Sequence, residues 1–293
     1  MTDAVTIYEV GPRDGLQNEA SFVPTATKIA LIDLLSDCNL TRIEAASFVS
    51  PKWVPQMADG AEVMAGITRR PGTRYAALTP NLQGFERARA AKADEIAVFA
   101  SASESFSQKN INCSIDESLA RFAPVIAAAQ DAGIHTRGYV SCIADCPYEG
   151  PIAPEAVRRV SQALLDAGCY QVSLGDTIGS GTPDTITALL RHLTASLDPA
   201  RLAGHFHDTN GRALENVEVA LEFGLRVFDS AVGGLGGCPY APGARGNVST
   251  ESLVQMLTAE GWQTGVDLPA LQRAQAFLLS EIAPSPKVIE RMS

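Results

Sequence analysis

Gly204-His205-Phe206-His207-Asp208-Thr209-Asn210 reads as the end of a strand that runs into a polar loop. Side chains on a strand alternate faces, so His205 and His207 share one side and Phe206 takes the other. Two imidazoles on one face form half of a divalent-metal site. The plain alternative is a pair of satisfied polar side chains inside a barrel. What the rest of the chain delivers to the ends of its other strands decides between the two.

Working outward, a helical stripe through Leu214, Val217 and Leu221 stops at Gly224, and residues 227–232 read as another strand. A glycine-rich loop follows to Asn247, then helices near 249–260 and 268–280. Upstream, residues 171–174 form a strand ending at Gly175-Asp176-Thr177-Ile178-Gly179, and Thr182-Pro183 caps the next helix. Further strands fall at 5–10, 42–46, 74–78, 95–100 and 136–141. Helices follow from Pro24, near 82–91, from the capping box at Ser114-Ile115-Asp116-Glu117, and from Pro154 to Gly168. Pro124 is expected to kink its helix. The loop at 47–55 is too long for a mere connector, and 101–113 reads as loop throughout.

Counting 202–207, this gives eight strands alternating with helices, evenly spaced and with no break in composition. The economical α/β architecture is one closed (β/α)8 TIM barrel over residues 1–293, with additional C-terminal helices. A doubly wound open sheet competes less well, because no Gly-x-Gly-x-x-Gly turn follows the first strand.

The 293 residues are 46% apolar, enough for a sizeable core, and carry a formal net charge of −10. That charge argues against nucleic-acid and anionic-membrane partners. No signal segment, membrane-spanning run or targeting tripeptide is apparent, and six scattered cysteines read as reduced thiols, so the expected location is cytoplasmic. Cys142 and Cys146 lie four apart with nothing nearby to complete a zinc set. The sequence leaves a homo-oligomer open.

In such a barrel the active site forms where strands end. That rule selects Arg13, Asp14 and Gln17 after strand one, Glu44 in strand two, Asp176 after strand six, the histidine pair, and Cys238 and Asn247 after strand eight. Strands one, seven and eight are neighbours around a closed barrel, so Asp14 and Asn247 can converge on the histidines. The mixed N/O set suits Mg²⁺, Mn²⁺ or zinc. Asp14 otherwise forms an Asx turn, and Asn247 is equally suited to capping the helix at 249. Arg13 can neutralise a carboxylate or an oxyanion, or pair structurally with Glu44 or Asp176. Glu44 faces inward or outward; inward, it needs a partner. The Cys238 thiol sits among glycines, where it is a proton donor, a nucleophile or filler.

These residues resemble the 3-hydroxy-3-methylglutaryl-CoA lyase family. The stretch Val10-Gly11-Pro12-Arg13-Asp14-Gly15-Leu16-Gln17-Asn18-Glu19 is similar to its opening motif, and 47–57 to its second. Lys109-Asn110-Ile111-Asn112, 175–179, 205–209 and the cysteine loop at 233–241 match further segments, so the resemblance spans nearly the whole chain.

The resemblance implies that Asp14, His205, His207 and Asn247 carry a divalent metal, Mg²⁺ or Mn²⁺. It implies that Arg13, Glu44, Asp176, His205 and Cys238 affect catalysis, with Arg13 and Gln17 binding substrate. The implied reaction is metal-dependent retro-Claisen cleavage of (S)-3-hydroxy-3-methylglutaryl-CoA to acetoacetate and acetyl-CoA, a step of leucine degradation and ketone-body formation. Ala45-Ala46 and Gly204 replace bulkier residues expected of the family, which would widen the acyl pocket. The runner-up is therefore a lyase for a longer 3-hydroxy-3-alkylglutaryl-CoA. A metal-dependent hydrolase fits less well, since only His135 and His192 remain to serve it. A non-catalytic metal-binding protein would not need Arg, Glu and Cys together at strand ends.

Overall fold

A computed structural model describes residues 4–17, 19, 21–236 and 246–282. Eight parallel strands close into a barrel: β1 (Thr6–Glu9), β2 (Arg42–Ser47), β3 (Arg74–Leu78), β4 (Glu95–Ser101), β5 (His135–Ser141), β6 (Gln171–Asp176), β7 (Leu202–Phe206) and β8 (Val227–Ser230). Each strand pairs with its sequence neighbours, and β8 closes on β1 with Ile7 beside Phe228 and Tyr8 beside Asp229. The helices around it are α1 (Thr25–Ser36), α2 (Gly60–Gly66), α3 (Leu82–Ala90), α4 (Glu104–Ile111), α5 (Ile115–Asp131), α6 (Pro154–Ala167), α7 (Pro183–Thr194), α8 (Ala213–Glu222), α9 (Thr250–Ala259) and α10 (Leu268–Glu281). The two C-terminal helices complete the ring, with α10 packed on both α1 and α9.

The period-2 pattern of the strands decides which residues fill which space. Ile43, Ile96, Val140, Val172, Leu174 and Phe228 face out and join the main apolar cluster beneath the helices. The alternate positions face in and are unusually polar: Glu44, Glu95, Arg137, Ser173 and Asp229 are all buried. Barrel interiors are more often filled with branched apolar side chains. A charged interior must satisfy itself by pairing: Arg13 meets Glu44 and Arg137 meets Asp229, while Glu95 accepts the Tyr8 and Tyr170 hydroxyls.

Three local expectations change. The segment 101–113 contains α4, whose N-cap Ser103 accepts a hydrogen bond from the Phe106 N–H. α5 runs through Pro124 as one helix from Ile115 to Asp131. Gly204 does not widen an acyl pocket. A Cβ there would fall 2.6 Å from the Phe206 ring and 2.9 Å from that of Phe228, on the helix-facing side. Ala45 and Ala46 belong to the same outer cluster. All three small residues relieve crowding between barrel and helices, the face opposite the one a substrate would reach.

Candidate active site

Strand β1 ends in a tight turn over Gly11–Gly15 in which three successive amides, of Arg13, Asp14 and Gly15, point at the Val10 carbonyl. This curl sets Arg13 and Asp14 side by side at the barrel mouth. Gly15 has no room for a side chain, since a Cβ would fall 2.7 Å from that of Leu235. Across the barrel seam, β7 delivers His205, and His207 follows one step past the strand. Asn247 is laid opposite His207 by an antiparallel bridge, with the Val248 amide bonded to the Phe206 carbonyl and the Asp208 amide to Gly246.

The result is a compact donor set. Ligand atoms of Asp14, His205 and His207 all lie within 4.8 Å of one another. The two Nε2 atoms face each other at 3.3 Å. Asn247 Nδ2 donates to Asp14 Oδ2 at 2.9 Å and to the Leu235 carbonyl at 3.1 Å. Its Oδ1 is buried without a hydrogen-bond partner. A buried carbonyl oxygen left unpaired costs on the order of 1–3 kcal/mol, and a cation beside it relieves that cost. The donor set of one carboxylate, two imidazoles and one amide oxygen fits a divalent cation.

Electrostatics favour the ligating forms. Burial opposes ionisation of Asp14, but Arg13, His205 and His207 outweigh it and hold the carboxyl well below the usual range. Burial, reinforced by His205, lowers His207 to about 4, so its imidazole is neutral. His205 is different. Burial disfavours its cation, yet Asp229 more than compensates and raises it.

Arg13 is buried and doubly paired. Its Nη1 donates to Asp14 Oδ1 at 2.6 Å, its Nε to Glu44 Oε2 at 2.7 Å, and Nη2 lies 2.6 Å from the same Glu44 oxygen. Glu44 therefore faces inward, and of the two partners expected for Arg13 the structure selects Glu44. Asp176 is engaged elsewhere: its carboxylate accepts the Gly181 and Ser180 amides at 2.9 and 3.2 Å. Burial pushes its carboxyl up to about 6 despite those bonds. Gln17 lines a cavity of about 320 Å³ with Phe22, Trp53 and Gln56. Cys238 lies outside the described residues. The described ends of its loop meet beside the Asp14 turn. A Cβ on Gly246 would fall 1.3 Å from the Gly236 oxygen, and one on Gly236 would fall 3.4 Å from the Gly15 Cα.

Sequence reasoning missed the layer beneath. Arg137 grips Asp229 through Nη2–Oδ1 at 2.7 Å and Nη1–Oδ2 at 3.1 Å, and both side chains are fully buried. Tyr139 receives a hydrogen bond from Arg137 at 3.2 Å and donates to Glu44 Oε2 at 3.1 Å, joining the two ion pairs. Below the mouth, Glu9 accepts from the Gly11 and Val232 amides and from Thr250 Oγ1. The signal available for Arg137 and Asp229 was a charged residue at an inward position of a strand. Cys142 and Cys146, read as bland, are buried in a small cluster with Phe106. The five described cysteines are all free.

A family model described as HMGL-like matches residues 4–278. The chain is 57% identical over 282 residues to the 3-hydroxy-3-methylglutaryl-CoA lyase, cytoplasmic, of Mus musculus, covering 96% of this chain and 82% of that one. It superposes on the crystal structure of the HMG-CoA lyase from Brucella melitensis with a TM-score of 0.94 at 60% identity, covering 95% and 99% of the two chains. An HMG-CoA lyase from Acenitobacter baumannii, solved in complex with coenzyme A and 3-methylmalate, matches with a TM-score of 0.91 at 40% identity, covering 98% and 95%.

Proposed function

This chain belongs to the HMGL-like family, and we propose that it cleaves (S)-3-hydroxy-3-methylglutaryl-CoA to acetoacetate and acetyl-CoA. It is a carbon–carbon lyase built on a (β/α)8 barrel. The observation that carries the reading is the convergence of Asp14, His205 and His207 beside the unpartnered Asn247 Oδ1. We take these four residues as the ligands of Mg²⁺ or Mn²⁺. A bound divalent ion supplies positive charge that lowers the pKa of the substrate's tertiary alcohol and fixes its orientation.

The remaining roles fall to the chain's own groups. The reaction must remove the alcohol proton, break the C2–C3 bond and protonate C2 of the resulting thioester enolate. Asp176, a buried carboxylate at the end of β6, is the group we assign to the alcohol proton, while His205 acts as a ligand whose Nδ1 side is taken by Asp229. Arg13, kept cationic by Glu44 and Asp14, has outer N–H groups to spare for the enolate oxygen. Gln17 contributes a polar contact to the substrate. Cys238, in its S–H form, delivers the final proton to C2. The acyl-CoA substrate is supported by the coenzyme A-bound relative.

We read residues 1–293 as one lyase domain acting in the cytoplasm, in leucine degradation and ketone-body formation. Among the described residues no helix is long and apolar enough to cross a membrane. The outward setting of Ala45, Ala46 and Gly204 gives the interior no extra acyl space, which favours the methyl substrate over longer homologues. Comparing kcat/KM across 3-methyl, 3-ethyl and 3-propyl substrates tests this: the value falls with each added carbon, and a rising series would assign the longer-chain activity instead.

A further inference from the structure

Beneath the metal-ligand set lies a pair of buried charges that the proposed chemistry does not use. Asp229 and His205 are lateral neighbours on β8 and β7, with their Cα positions in register. Inward parity therefore sets their side chains against each other, and His205 Nδ1 lies 3.0 Å from Asp229 Oδ2. The same oxygen accepts from Ser173 Oγ at 2.7 Å and from Arg137 Nη1 at 3.1 Å, while Oδ1 takes Arg137 Nη2 at 2.7 Å. Arg137 is itself immobilised. Its Nε donates to Gln171 at 3.1 Å, and its guanidinium lies 4.1 Å from the centre of the Tyr8 ring.

A carboxylate is only an acceptor, so His205 must present a proton on Nδ1 to it. That leaves the lone pair of neutral His205 on Nε2, the atom that faces His207. We propose that Asp229, clamped by Arg137 and Ser173, is a positioning residue that fixes the tautomer and ring orientation of His205 toward the cation. The inference rests on the metal reading of the site. The carboxylate–imidazole–metal relation is a general means of orienting a ligand and raising its basicity. Here it is built from four strands, with Arg137 and Asp229 separated by 92 residues.

Truncating Asp229 alone would strand a buried guanidinium and threaten the fold. The informative variant is the double substitution Arg137→Met/Asp229→Leu, which removes both charges at similar volume. Mn²⁺ affinity is read by electron paramagnetic resonance. The His205 tautomer is read by ¹⁵N NMR, in a chain with only four histidines. The native metal-free protein is expected to carry the His205 proton on Nδ1. The double variant is expected to fold, to move that proton to Nε2 and to bind Mn²⁺ roughly 10–100-fold more weakly. Native protein that fails to bind Mn²⁺ would remove the metal reading itself. Native binding with an equally tight double variant would overturn the role of Asp229 alone, as would weaker binding with an unmoved proton. If the double variant does not fold, the native tautomer decides: a proton on Nε2 overturns the proposal.

Discussion

His205 Nε2 and His207 Nε2 face each other at 3.3 Å. Two neutral imidazoles can share that gap only if one of them carries its proton there, or if a cation takes its place. Asp229 already occupies the Nδ1 side of His205. His207 is held neutral, at about 4, by burial and by its neighbour. On the metal reading proposed above, the pair gives two lone pairs to one ion and Asp14 supplies the charge.

His207→Ala is expected to weaken Mn²⁺ binding by at least tenfold while leaving the fold in place, because it removes a coordinating atom from the mouth of the barrel and not a core contact. Titration with Mn²⁺ and far-UV circular dichroism check the two halves. A variant that loses its fold, or that binds as tightly as the native protein, contradicts the assignment.

Glu44→Ala leaves buried Arg13 with Asp14 as its remaining carboxylate partner. Breaking one side of a buried pair costs about 3 kcal/mol or more. The melting temperature is expected to drop by several degrees, and turnover to fall as Arg13 loses its fixed orientation. Unchanged thermal stability would mean that the pair contributes little to holding the mouth together.

Glu9 gives a pH dependence with a definite sign. Burial raises its carboxyl from 4.5 to about 7, against hydrogen bonds from Thr250, Val232 and Gly11. The folded protein therefore binds this proton more tightly than the unfolded chain does. Its contribution to stability is full below pH 4.5 and is lost as pH rises through 7, by roughly 3 kcal/mol. Glu9→Gln removes that slope. The melting temperature of the variant should gain on the native value steadily between pH 5 and 8, and parallel curves would refute the shift.

Cys238→Ser keeps the shape of the proposed acid and raises its pKa far above neutrality. Turnover is expected to fall on the order of a hundredfold, with Mn²⁺ binding and melting temperature unchanged. Near-native turnover would show that the thiol merely fills a place in its loop.

The barrel was legible because its strands are short runs at even spacing, with caps such as Ser114 and Thr182 marking the helices between them. The metal-ligand candidates were legible because strand ends are where barrels place chemistry, and Asp14 and the histidines sit at two such ends. α4 was hidden because its sequence, Glu104–Ile111, carries a weak apolar stripe and is announced only by Ser103. The Arg137–Asp229 pair was hidden for a different reason. The two residues lie 92 positions apart, and nothing local says that they meet across the barrel. Gly204 misled because a missing side chain looks like added space, whereas strand parity turns that space toward Phe206 and Phe228.

The most direct test of the central claim is a product assay with and without metal. Purified protein is stripped with a chelator, supplied with (S)-3-hydroxy-3-methylglutaryl-CoA, and assayed for acetoacetate and acetyl-CoA before and after adding Mg²⁺ or Mn²⁺. The account predicts no turnover in the stripped protein and equimolar formation of both products once metal is restored. Full turnover in the stripped protein, or restored protein that leaves the substrate intact, would contradict it.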